Sequence, residues 1–197
     1  MAGITPSQTV GPFFAYGLTP TGQYQWHDTF TNSLVTADTS GERIRIEGRV
    51  LDGDGVPVPD AMLEIWQADA QGRFAHPRDA RTAQNNSFKG FGRCGTTAEG
   101  GFSFETIKPG AVPGPEGTPQ APHVLLAIFA RGMLVHNFTR IYFDDEAAAN
   151  AADSVLGLVP AERRATLIAK RETGGSGAVY RFDVHLQGDD ETVFFEI

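Results

Sequence analysis

Ala121-Pro122-His123-Val124-Leu125-Leu126-Ala127-Ile128-Phe129 is apolar on both parities. His123, Leu125, Ala127 and Phe129 fall on one side, and Val124, Leu126, Ile128 and Ala130 on the other. Successive strand residues point to opposite faces, so the pattern predicts a central strand covered on both sides. Working outward, the other strands follow from shorter patterns. In Arg43–Val50, Ile44, Ile46 and Val50 alternate with Arg45, Glu47 and Arg49, which predicts one wet face. Ala61–Gln67, Gly101–Ile107, Thr139–Phe143, Val179–Leu186 and Thr192–Ile197 complete the predicted set, with Tyr180, Phe182, Val184 and Leu186 on one face. Short strands set apart by turns such as Asp52-Gly53-Asp54-Gly55 and Pro109-Gly110 predict a mainly β fold, an antiparallel sandwich rather than βαβ units.

Two short helices are expected near the C-terminal part. Asp144 or Asp145 is placed to cap Glu146–Asp153, with acidic residues at the positive end of the dipole. Pro160 opens a second helix over Ala161–Arg171, ended by Gly174-Gly175. At the other end, Thr5–Phe14 carries turn formers and two adjacent phenylalanines without a period, which predicts an extended arm lying on another surface. Residues 15–41 are loop-like, long enough to be functional or part of an interface. No repeat or linker divides the chain, so residues 1–197 are expected to form one domain, with 1–41 as its arm and loops.

The chain has 197 residues, enough to bury about 70% of the surface its unfolded form exposes. A net charge of −8 argues against a basic surface for nucleic acid or anionic membrane. The opening Met1–Pro6 lacks the pattern of a signal peptide, and a cytoplasmic location is expected. The single cysteine, Cys94, excludes an intrachain disulfide; Arg93 beside it favours a thiolate, but a packed core thiol is the expected state. There is no Gly-x-Ser-x-Gly elbow, phosphate-binding glycine loop or dinucleotide fingerprint. Of five histidines, His27 and His76 sit in loops, His185 is on a polar face and His136 precedes a strand. No pair has metal-ligand spacing. His123 enters the buried strand, where an imidazole needs a hydrogen-bond partner.

Val50-x-Asp52-x-x-Gly55-x-Pro57-Val58-Pro59-Asp60-Ala61-x-Leu63-Glu64-Ile65-Trp66-Gln67-Ala68-Asp69 carries a further signal. Gly72-Arg73-Phe74, Gly92-Arg93, Thr106-Ile107-Lys108-Pro109-Gly110 and Ala121-Pro122-His123 follow it in order. Together these segments resemble the intradiol ring-cleaving dioxygenases over nearly the whole chain. Catalytic members of that family hold a non-haem Fe(III) with two tyrosines and two histidines. The resemblance places those four ligands at Phe74, Val112, His123 and Leu125. Phe, Val and Leu offer no lone pair to a hard ferric ion, and one imidazole cannot hold it.

The resemblance therefore implies a non-catalytic chain that binds no cofactor itself and pairs with a related, iron-bearing β chain in a higher hetero-oligomer. Phe74, Val112 and Leu125 are then expected to pack into the vacated site as core. In such pairs the arm of the iron-free chain lines the partner's substrate pocket, which implies roles for Thr9, Gly11, Pro12 and Arg131. A guanidinium at Arg131 suits an aromatic acid, although a surface arginine in a turn with Gly132 is equally compatible with the residues alone. A stand-alone, metal-free sandwich acting as a carrier or interaction module is the competing reading.

Overall fold

The computed structural model describes residues 9, 11, 17–19, 30–81, 88–114, 117–172 and 177–196. Its strands are β1 (Arg43–Leu51), β2 (Met62–Gln67), β3 (Phe91–Gly95), β4 (Gly101–Ile107), β5 (Val112–Pro113), β6 (Pro119–Gln120), β7 (His123–Phe129), β8 (Asn137–Phe143), β9 (Ile168–Glu172), β10 (Ala178–Arg181) and β11 (Val184–His185). Two short helices, α1 (Ala147–Ala152) and α2 (Ser154–Leu158), interrupt the order between β8 and β9. The quoted stretch forms β7, which pairs antiparallel with β2 on one side and β8 on the other. The sheet continues from β8 through β9 and β10 to β1, whose far edge carries β4, while β3 lies beyond β2. The predicted mainly β sandwich is what forms. Within it β1 runs parallel to β10 and β11, and β8 parallel to β9.

One core sits between the two halves of this curved sheet. Ile44, Ile46, Phe104 and Tyr180 enter it from the β1 side, and Leu63, Ile65, Val124, Leu126, Ile128 and Ile141 from the β7 side. The same strand parity that was apolar in the sequence is the buried one, because period-2 alternation leaves no other way to hide these side chains. Buried Gln67 stitches the halves together: its Nε2 donates to the Ile107 carbonyl at 2.9 Å, and Thr106 Oγ1 donates to its Oε1 at 2.7 Å. A smaller cluster of Ala121, Tyr142, Leu156, Val159 and Leu167 packs the helices onto the opposite face of β8.

Four expectations need correction. The helix expected over Ala161–Arg171 is absent; a 3-10 turn at Arg164–Leu167 leads directly into β9. Burial decides this, since Leu167 and Ala169 are fully buried on opposite sides while β9 fills the gap between β8 and β10, which a helix would not. Neither Asp144 nor Asp145 caps a helix through its side chain. Asp145 instead accepts from Lys108 at 2.8 Å and from Tyr180 Oη at 2.9 Å, and the buried Asp153 caps α2 through the Val155 and Leu156 N–H groups.

The strand expected over Val179–Leu186 is broken. Asp183 Oδ1 takes the Arg49 N–H at 2.8 Å, standing in for a ladder carbonyl between β10 and β11. Gly48 permits this crossing, because a Cβ there would lie 1.8 Å from the Phe182 carbonyl oxygen. The Thr192–Ile197 strand reduces, among the described residues, to one bridge between Phe138 and Phe195. Apart from Thr9 and Gly11 the arm lies outside the described residues, as do residues 15–16 and 20–29 of the loop.

Candidate functional site

Three of the four positions that the family resemblance marked meet at one cavity of about 610 Å³ on the outer face of β7. His123 and Leu125 reach it from β7, and Phe74 from the loop after β2. Val112 is buried beside it, next to the lining Pro113. The sheet register builds the floor as a row across three strands, with Trp66 opposite Leu125 on one side and Arg140 opposite Leu125 on the other.

The loop carrying Phe74 is fixed by its backbone. Gly72 has φ +71°, and a Cβ on it would stand 1.9 Å from the Ala111 carbonyl oxygen. Only glycine allows the 69–74 loop to lie so closely on the 110–112 segment. The Gly110 N–H donates to the Asp69 carbonyl at 2.9 Å. Asp69 Oδ1 accepts the Gln71 and Arg73 N–H groups, and its Oδ2 accepts from Arg73 Nε at 2.8 Å. Phe74 is thereby set nearly parallel to Trp66, with ring centroids 6.2 Å apart. Its N–H donates to Asp79 Oδ2 at 2.9 Å.

Charge lines the cavity's rim. The Arg81 guanidinium, with the Phe74 N–H, holds the Asp79 carboxyl well below the usual carboxylate range. Arg140 NH1 donates to Gln120 Oε1 at 2.7 Å and, more weakly, to Tyr142 Oη at 3.4 Å. His123 is half-buried, and its Nδ1 lies 2.8 Å from the Ala121 carbonyl oxygen. Desolvation, then the nearby Arg140 charge, push its pKa down to about 4. The imidazole is therefore neutral at pH 7, with its proton on Nδ1 because a carbonyl can only accept, and Nε2 keeps its lone pair.

A ferric ion does not fit these residues. Of the four marked positions only His123 has a donor atom, and the adjacent carboxylate of Asp79 is engaged by Arg81 and the Phe74 N–H. No trio of His, Cys, Asp or Glu able to hold a metal occurs among the described residues. The expectation that Phe74 and Leu125 would close the site as packed core is overturned. Both are only half-buried and border open space, while Val112 alone is buried. Apolar side chains replaced lone-pair donors without filling the volume, because the walls are set by backbone contacts of the two loops.

Of the residues expected to serve a partner's pocket, Thr9 and Arg131 come together at the turn after β7. Arg131 and Gly132 form that turn, with Gly132 at φ +84°. The Gly132 N–H donates to Thr9 Oγ1 at 2.9 Å, so the arm meets this turn within the chain itself. The Arg131 side chain is 73% exposed and its Nε is 2.8 Å from Asp60 Oδ2. Gly11 is exposed, and Pro12 lies outside the described residues. Beside the turn, His136 stacks on Phe129 and meets Phe138 edge-on, while Leu134 and Val135 are exposed. Cys94 is a core thiol, pushed up to about 12 by burial. Trp66, His76, Arg78, Asp79, Arg81 and Arg140 were missed as site residues; only the parity of Arg140, shared with Tyr142 in Thr139–Phe143, was there to be used.

A dioxygenase family model matches residues 11–188. The chain belongs to the intradiol dioxygenase family. This intradiol dioxygenase chain is 53% identical to the protocatechuate 3,4-dioxygenase alpha chain of Burkholderia cepacia, over 98% of this chain and 97% of that one. The beta chain of the same organism's enzyme is 36% identical over 84% of this chain and 73% of its own. Among solved structures, the dioxygenase domain of a dioxygenase carbohydrate-binding protein fusion from Streptomyces sp. SirexAA-E has a TM-score of 0.62 at 27% identity, covering 93% of this chain and 98% of that one. The family works with non-haem iron, and related chains of both an alpha and a beta type match this one, as expected for a hetero-oligomer. Among the described residues no helix is long and apolar enough to cross a membrane.

Proposed function

We propose that this chain is the iron-free α-type subunit of a protocatechuate 3,4-dioxygenase. Its complex with an iron-bearing β-type chain cleaves protocatechuate with O2 between the two hydroxyls, giving 3-carboxy-cis,cis-muconate, a step of aromatic catabolism along the β-ketoadipate route. Fe(III) belongs to the β-type partner, where it binds and activates the catecholate. The observation that carries the reading is the ligand set: the chain follows its family from end to end, yet has Phe74, Val112 and Leu125 where three donors are needed. As one domain it contributes walls and assembly rather than chemistry. The contact of Thr9 with Gly132, beside the exposed Arg131, Leu134 and Val135, supports a surface offered to that partner.

Metal analysis tests this directly. The purified chain alone is expected to be colourless and iron-free, and the co-purified complex to hold one iron per β-type chain with tyrosinate-to-iron absorption. Stoichiometric ferric iron in the chain by itself would overturn the assignment.

A further inference from the structure

The cavity over β7 takes no part in the function just proposed, which uses the arm and the turn after β7. We propose that this chain's own cavity binds a small aromatic carboxylate, the carboxylate on Arg140 and the ring against Trp66, Phe74 and Leu125.

Size, charge and wall chemistry point the same way. A volume of about 610 Å³ lies within the usual span of small-molecule sites. Three arginines line it (Arg78, Arg81 and Arg140) against one carboxylate, Asp79, which is already held by Arg81. Arg140 is half-buried and has no carboxylate partner among the described residues. Only its NH1 is engaged there, so Nε and NH2 keep donors for a bidentate anion. A partly desolvated guanidinium without a counter-charge gains most from an anion that brings its own apolar cover. Trp66 and Phe74 stack within 8° of parallel, and with Leu125 and Pro113 they give the cavity an apolar lining against which an aromatic ring can pack. Inorganic phosphate would satisfy the charge and leave that wall uncovered.

The test is a fluorine NMR titration of the full-length chain with 4-fluorobenzoate. Saturable binding at one site per chain is expected. Arg140→Gln should weaken it by about tenfold or more, the worth of a charge-assisted pair. The neutral analogue 4-fluorotoluene should bind at least about tenfold more weakly than the acid on the same ground, and millimolar phosphate should not displace the probe. Leu125→Trp, which fills the cavity from its half-exposed wall, should abolish binding, and this variant decides if Arg140→Gln does not fold. In the complex, Leu125→Trp should lower the number of probe sites by one per copy of this chain. No saturable binding, equal affinity of Arg140→Gln, equal affinity for 4-fluorotoluene, or an unchanged site count in the Leu125→Trp complex would each overturn the proposal.

Discussion

The two faces of β7 contrast sharply. Val124, Leu126 and Ile128 are 0% exposed in the main core. One residue out of phase, His123 and Leu125 border a cavity rimmed by arginines. Both faces read as apolar in sequence, yet one is dry and closed and the other open. The difference lies in what covers them. The inner face meets side chains from β1, β4 and β10, which interdigitate freely. The outer face is roofed by the 69–74 and 110–112 loops, and the Gly72 and Gly110 backbone contacts hold these at a fixed height. Replacing metal donors there changes the chemistry without lowering the roof.

Truncating one leucine on each face sharpens this contrast and should give the largest effect. Leu126→Ala deletes a fully buried side chain and should cost about 3 kcal/mol, within the usual range for a core leucine. Leu125→Ala trims a side chain already bordering water and should cost less than about 1 kcal/mol. Urea unfolding of both variants measures it. Equal losses would mean that the cavity is closed in solution and both faces are core.

The same contrast explains what the sequence could and could not tell. Periodicity recovered the inner face because burial leaves its mark on every second residue, as in Ile44, Ile46 and Val124, Leu126, Ile128. It failed where tertiary pairing overrode local preference. Ala161–Arg171 has helical composition, but the gap between β8 and β10 makes its second half a strand. Phe91–Gly95 has two glycines and no clean alternation, so β3 left no period to find. The ligand positions were legible only through spaced motifs such as Gly72-Arg73-Phe74, since Phe, Val and Leu look like any core residue. Whether they filled the space was not legible, because that depends on backbone separation between loops far apart in sequence.

A smaller effect is expected from pH, and it separates the two faces by titration. Burial and Arg140 lower His123 to about 4, while an unfolded histidine titrates near 6.5. Between these values the unfolded chain binds a proton that the folded chain refuses. Stability should thus be fully present above pH 6.5 and fall as pH drops towards 4, by about 2 kcal/mol once partial solvent access is allowed for. Asp79, lowered by Arg81 from its ordinary 3.8, contributes in a separate and more acidic window. Unfolding free energies of wild type and His123→Gln across pH 4–7 would isolate the term. If both curves run parallel, the imidazole is freely solvated and the cavity is open to water around it.

The smallest change in stability should come from Arg131→Ala, at the end of β7 away from the cavity. Its ion pair with Asp60 is 73% exposed on the arginine side, so solvent screening leaves it worth under about 0.5 kcal/mol. Thermal unfolding of the chain should hardly move, and that quiet background makes the variant informative. In the complex proposed above, a role in recognising the aromatic acid predicts a higher KM for protocatechuate and little change for catechol, which lacks the carboxylate. Equal losses for both would assign Arg131 to packing or assembly through the Thr9–Gly132 contact beside it. No change for either would make it an ordinary surface arginine, and would leave the cavity on the outer face of β7 as this chain's own place for an anion.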